Sequence, residues 1–126
     1  MKEWTITISQ DLIVTEEDVD DIMCTALEGG IYYWCKRAEV VGAYLGDYAS
    51  DQIARGGELI LYDRESANSY KLTLDKLLKG IAKAYADGYY DEYEWCDGKT
   101  LDLSQIDAEL ADVIVQLALF DEVVYG

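Results

Sequence analysis

The stretch ELILYDRESANSYKLTL, residues 58–74, decides the fold class. Its two apolar-rich runs, ELILYD and SYKLTL, lie on either side of the polar segment RESAN and read as a β-hairpin. Immediately afterwards the apolar period changes. Leu74, Leu77, Leu78, Ile81, Ala82 and Tyr85 recur at helical spacing, and Gly88 closes the helix they define. Toward the N-terminus, Trp4-Thr5-Ile6-Thr7-Ile8 alternates apolar with polar and predicts a strand. Thr15 followed by Glu16, Glu17 and Asp18 reads as a helix N-cap with acids on the first turn. Val19, Ile22, Met23, Ala26 and Leu27 give that helix one apolar face, ending at Gly29-Gly30.

Residues 31–46, IYYWCKRAEVVGAYLG, suit a strand or a second helix. YASDQIARGG, residues 48–57, reads as a short helix capped at Ser50 and stopped by Gly56-Gly57. Ser104 with Asp107 forms an acid version of a capping box, and Ile106, Leu110, Val113, Ile114 and Leu117 stripe the last helix. Residues 122–125, Glu-Val-Val-Tyr, suit a closing strand. Strands and helices mix without βαβ regularity. The expectation is therefore α+β, one compact domain over residues 1–126, with a small, mostly antiparallel sheet and a β-hairpin packed against three to four helices.

Composition removes several kinds of chemistry. The chain has no histidine, and with it go the commonest general base, the Ser-His and Cys-His nucleophile pairs and the usual zinc ligands. It has no glycine-rich phosphate loop and no proline. Cys24, Cys35 and Cys96 are odd in number without C-x-x-C spacing, which favours free thiols over a disulfide or metal site. No cofactor and no metal are expected. The N-terminal MKEWTITISQ has no apolar signal core, so a cytoplasmic location is expected, with no membrane partner.

The net charge of −16 is uneven. Residues 1–35 carry eight acids and one base, residues 36–83 seven acids and eight bases, and residues 84–126 eleven acids and one base. Such a chain repels a nucleic-acid backbone and attracts a basic protein surface.

Three groups of residues are candidates for function. The first is Glu28, Gly29, Gly30, Tyr33 and Trp34. It reads either as a glycine-stopped helix followed by core aromatics, or as a pocket in which a ring stacks and Glu28 accepts hydrogen bonds. The second is the loop holding Tyr89, Tyr90, Asp91, Glu92, Tyr93, Glu94, Trp95 and Asp97. Aromatic anchors interleaved with acids suit a basic partner; the stretch also reads as a plain aromatic-pinned loop or, less readily, as a calcium site. The third is Asp107, Asp112 and Gln116. Asp112 and Gln116 are four residues apart and share a face, read as solvated or, less readily, as part of a paired-carboxylate hydrolase.

Two stretches resemble a family of small acidic proteins of bacteriophages and mobile elements. TALEGGIYYW resembles an E-G-G-x-x-Y-W motif, and DAELADVIVQLALFDEVVYG resembles a C-terminal A-D-x-I/V-V-Q-x-A-L-F run ending in Y-G. Glu28, Gly29, Gly30, Tyr33 and Trp34 match the first, and Asp112, Gln116, Phe120, Tyr125 and Gly126 the second. Asp121 stands where the resemblance has glycine, and Tyr32 where it has asparagine. The resemblance implies a bacterial phage or mobile-element origin and no mechanism. It also suggests that the end of the first helix meets the last helix, with Glu28 and Gln116 near the aromatics.

These readings converge on a non-enzymatic binding protein in the bacterial host cytoplasm. It would act as a counter-defence inhibitor of the anti-CRISPR or DNA-mimic kind, blocking a host nucleic-acid-binding effector through the loop from Tyr89 to Asp97. The alternative is a small-ligand protein, taking a nucleotide or nucleotide signal with Glu28, Gly29, Gly30, Tyr33, Trp34, Asp112 and Gln116. An enzyme is a third reading without a nominated residue, and an aromatic-rich surface also suits a homodimer.

Overall fold

The computed structural model describes residues 2–7, 11–89, 96–97, 100–101 and 106–126. In chain order these form β1 (Glu3–Thr7), β2 (Asp11–Thr15), α1 (Glu16–Thr25), β3 (Cys35–Val40), β4 (Leu59–Asp63), β5 (Ser69–Leu72), α2 (Leu74–Ala86), β6 (Cys96–Asp97), β7 (Thr100–Leu101) and α3 (Ala108–Phe120). The protein is a single α+β domain whose strands divide between two sheets. One has the order β1-β2-β7-β6, the other β3-β4-β5. Pairing is antiparallel throughout the second sheet, and in the first sheet except between β2 and β7.

The expected hairpin is β4 and β5, in register from Leu59 opposite Leu72 to Tyr62 opposite Ser69. Leu59, Leu61 and Asp63 point inward while Ile60 and Tyr62 lie between them on the other face, the alternation a half-covered sheet requires. The first strand is also where the alternation put it. Its partner β2 carries no such signal, because the apolar run Leu12-Ile13-Val14 is too short and unbroken to show a period. Thr15, the last residue of β2, caps α1. Its hydroxyl accepts from the Asp18 N–H at 3.1 Å, and the Asp18 carboxylate accepts from the Thr15 N–H at 2.9 Å.

Local signals misled in four places. Gly29-Gly30 does not simply stop α1. Instead the chain widens into a π-helical turn over Ala26–Gly30, sealed by the Ile31 N–H on Ala26 O. Residues 48–57 hold only a short 3-10 turn, Ala49–Asp51, and Ser50 is not its cap. The Asp51 carboxylate accepts from the N–H groups of Asp47 and Tyr48, and buried Gln52 bonds back to Leu45 N–H and Ala43 O. These partners lie upstream and favour a folded loop over a helix. The last helix is capped by Asp107 itself, which accepts from the Leu110 N–H at 2.9 Å; Ser104 lies outside the described residues. Finally, residues 122–125 form no strand.

Buried side chains surround α3 over its whole length from Leu110 to Leu117. A helix covered on every side must be apolar all round, so a single stripe understates it. Two glycines allow the close approach. A Cβ on Gly80 of α2 would lie 2.5 Å from Ile114 O, and one on Gly30 would lie 2.7 Å from Ala108 O. The resemblance's suggestion that the end of α1 meets α3 holds in this geometry. Cys24 and Cys35 are free thiols. Among the described residues no helix is long and apolar enough to cross a membrane.

Candidate functional site

Tyr33 and Trp34 leave the π turn side by side and both reach Asp112 on α3. The Trp34 Nε1–H donates to Asp112 Oδ1 at 2.8 Å, and the Tyr33 hydroxyl donates to Oδ2 at 2.6 Å. One helical turn on, Gln116 donates from Nε2 to Asp112 Oδ1 at 3.0 Å. Its Oε1 accepts from the N–H groups of Val124 and Tyr125, each at 2.8 Å. The C-terminal tail is therefore folded back along α3 by a fully buried glutamine. The Tyr125 ring stacks on Trp34 at 4.7 Å with the planes 1° apart, and its hydroxyl meets that of Tyr70 at 3.0 Å. Phe120 closes the cluster edge-on to Trp34 and Tyr70.

This arrangement corrects the solvated-face reading of Asp112 and Gln116, which are 7% and 0% exposed. A carboxylate can be buried here because three donors satisfy it. Trp34 is 2% exposed, and Tyr125 already occupies the face a ligand ring would need. Asp107 is exposed and caps α3, away from Asp112. Asp121, in the position where the resemblance has glycine, ends α3 at φ 63°. That left-handed conformation is one glycine adopts freely and aspartate tolerates.

Burial, then the Asp112 carboxylate, push the Tyr33 phenol up to about 12, against a smaller lowering by Gln116. A raised tyrosine pKa means the fold favours the neutral phenol. Its contribution is complete below the unfolded value near 10 and disappears as pH rises through about 12. Two pH units at full expression correspond to about 2.7 kcal/mol, and solvent around the half-exposed ring reduces this to about 1 kcal/mol. The stability difference between wild type and Tyr33→Phe should be constant below pH 10 and shrink by about that amount toward pH 12. Urea unfolding at fixed pH measures it; a difference that stays flat would place the phenol outside the network.

The other sequence candidates lie elsewhere. Gly30 packs on α3, and Gly29 is exposed with open space beside it. A shallow groove of about 340 Å³ runs along Gly29, Gly30, Tyr33, Asp112, Tyr125 and Gly126. Glu28 does not join it. Glu28 is exposed and borders a separate depression with Cys24, Leu27 and Tyr48. Of the loop expected to bind a partner, Tyr89 is exposed and Asp97 belongs to β6, while Tyr90, Asp91, Glu92, Tyr93, Glu94 and Trp95 lie outside the described residues.

A different acidic surface lies along α1. Glu17, Asp21 and Glu28 are exposed at helical spacing along α1 and its π turn. Burial, followed by repulsion from Glu17, Asp18 and Asp20, holds the Asp21 carboxyl above its ordinary value. Burial first, then the hydrogen bond and charge of Glu28 with the charges of Asp21 and Asp51, push up the Cys24 thiol. Arg55 partly offsets this field, pairing with Asp20 at 3.0 Å and Glu16 at 3.5 Å on a neighbouring face. Among the described residues no group of three or more carboxylate and cysteine side chains is placed to hold a metal ion.

Sequence reasoning missed Tyr70 and Gln52, and found Tyr125 only through the resemblance. Tyr70 sits on a strand whose apolar character already explained it, and Gln52 had no local signal of burial. No protein-family model matches the chain, and neither a curated protein nor a solved structure matches it.

Proposed function

We propose that this is a non-enzymatic acidic binding protein that occupies the basic surface of a nucleic-acid-binding host protein. A phage or mobile-element origin, and with it a counter-defence role, rests on the sequence resemblance alone. The observation that carries the binding reading is the acidic stripe Glu17, Asp21 and Glu28 on an exposed face, where Glu17, with Asp18 and Asp20, repels the Asp21 carboxylate. Like charges held together at a cost are relieved by a cationic partner, and the chain's net charge of −16 steers that encounter. Competition supplies the test. The protein should displace duplex DNA from at least one member of a panel of purified basic bacterial DNA-binding proteins, weakening steeply with salt. Failure to compete with DNA for any of them, or binding indifferent to salt, sinks the reading.

A second reading keeps the small ligand, and the groove along Gly29, Gly30 and Tyr33 is what favours it. A ligand there would lie against the Tyr33 hydroxyl and the tail, without stacking on Trp34. A thermal shift with a nucleotide panel that is lost in Tyr33→Phe would promote this reading; no shift with any nucleotide would remove it.

A further inference from the structure

The loop over residues 41–48 displays apolar side chains that the core does not use. Val41, Tyr44, Leu45 and Tyr48 are 41%, 61%, 49% and 71% exposed. Loops with such exposure are ordinarily loose, but this one is held from beneath. Gln52, only 1% exposed, accepts from the Leu45 N–H at 3.0 Å and donates to Ala43 O at 3.2 Å. Asp51 accepts from the N–H groups of Asp47 and Tyr48, both at 3.0 Å. Gly46 and Gly57 leave the room this frame needs, since a Cβ on either would lie within 2.6 Å of the Asp51 or Gln52 side chain. Large apolar groups on a pre-ordered frame bind at a reduced entropic cost, and tyrosine is favoured at interface hot spots.

At the foot of the loop lies a depression of about 430 Å³ bounded by Cys24, Leu27, Glu28, Tyr48, Ala49 and Ser50. Cys24, Leu27 and Ala49 give it an apolar lining and Glu28 an acidic edge, and the charges of Asp21 and Asp51 act on Cys24 within it. Residues 38–54 contain three acids and no base. An apolar stem carrying a cationic head fits this chemistry, with the head beside Glu28 and over the Tyr48 ring.

We infer that the 41–48 loop and the depression beside it form a docking surface for a basic, apolar segment of a partner protein. An arginine or lysine enters between Glu28 and Tyr48, and neighbouring apolar side chains cover Tyr44 and Leu45. The inference rests on the proposed binding of a basic protein and names where and how the partner is held. A second copy of the chain is the poorer occupant. A symmetric contact would set this acidic patch against its own copy in a protein of charge −16.

The experiment uses three fluorescein-labelled synthetic peptides of matched length, composed of arginine, leucine and alanine; arginine, serine and alanine; and glutamate, leucine and alanine. Anisotropy gives affinities and amide chemical shifts give the location. The arginine–leucine peptide should bind, moving the resonances of Glu28, Tyr44, Leu45 and Tyr48. The arginine–serine peptide should bind about tenfold more weakly, and the glutamate peptide not at all. Leu45→Ser, Tyr48→Ser and Glu28→Gln should each weaken binding about tenfold while their urea unfolding matches wild type. If the basic peptides bind but shift only other residues, and these variants bind normally, the docking site is overturned and the basic-partner reading stands. If no arginine peptide binds at low salt, both fall. If sedimentation shows a dimer that Tyr48→Ser dissociates, the occupant is a second copy and the inference is wrong.

Discussion

Replacing Trp34 by alanine should cost about 5 kcal/mol, close to the whole stability of a small domain. Two effects combine. Removing a fully buried indole costs about 3–5 kcal/mol in lost burial and cavity formation. Asp112 Oδ1 then loses the 2.8 Å hydrogen bond from Trp34, and a buried carboxylate short of a donor adds about 1–3 kcal/mol. The surroundings offer little relief, because Tyr125, Phe120 and Tyr70 are themselves held by the tail and α3. Trp34→Phe separates the two contributions: it keeps most of the ring and removes the donor, so about 2 kcal/mol is expected. Urea unfolding followed by circular dichroism checks both. A loss below about 2 kcal/mol for Trp34→Ala would mean that the ring is not what binds the two ends of the chain together. A cycle with Asp112→Ala should show coupling of about 1–3 kcal/mol.

That expectation alters what the E-G-G-x-x-Y-W residues stand for. Tyr33 and Trp34 are answered by Asp112, Gln116 and Tyr125, so the N-terminal motif and the C-terminal signature are two halves of one hydrogen-bonded, stacked contact. Their joint presence in a sequence has a packing explanation that needs no ligand. Gly30 belongs to the same contact, because its lack of a Cβ admits the Ala108 carbonyl. Glu28 and Gly29, both exposed, are the motif residues this explanation leaves over. Glu28 faces solvent beside Cys24 and Tyr48, outside that contact.

What could be read from the sequence was what is decided within a few residues. The Thr15 cap is satisfied three residues away, and the β4–β5 hairpin is closed by its own turn. Both follow from local chemistry. The failures share the opposite property. Gln116 looks like an exposed helix residue, yet its carbonyl oxygen is the acceptor for tail N–H groups eight and nine residues later. Gln52 looks like part of a short helix, yet it turns upstream to hold Leu45 and Ala43. A glutamine that replaces a missing backbone partner leaves no periodic trace, because its position is fixed by an irregular segment. The candidate site was legible to the same degree. Spacing put Asp112 and Gln116 on one face, the resemblance brought Tyr33, Trp34 and Tyr125 into the same set, and neither revealed that they satisfy one another.

Gly80 tests the other side of α3. Ile114 and Ala118 face α2, while Asp112 and Gln116 face Trp34 and the tail, so the helix is gripped between two contacts. In an ordinary exposed helix Gly→Ala gains about 1 kcal/mol. Here the added Cβ would lie 2.5 Å from Ile114 O and 2.9 Å from both Ala118 N and Ala118 Cβ. Two of those three atoms are backbone, so relief requires moving α2 away from α3 as a unit. Gly80→Ala should therefore destabilise by about 1–2 kcal/mol despite its better propensity, and Gly80→Leu by about 4 kcal/mol. Alanine and leucine have nearly equal helix propensities, so the step between the two variants measures the seam alone. Adding Ala118→Gly to Gly80→Ala removes one of the three close contacts and leaves the backbone pair. It should recover less than half of the loss, after allowing for its own cost of about 1 kcal/mol in a helix. Full recovery would show that the seam is set by the alanine methyl, and a stabilised Gly80→Ala would show that the helices are farther apart than this packing requires. Because α3 also carries Asp112 and Gln116, amide exchange at Val124 and Tyr125 should accelerate in Gly80→Leu, although these residues lie on the far side of the helix from the substitution.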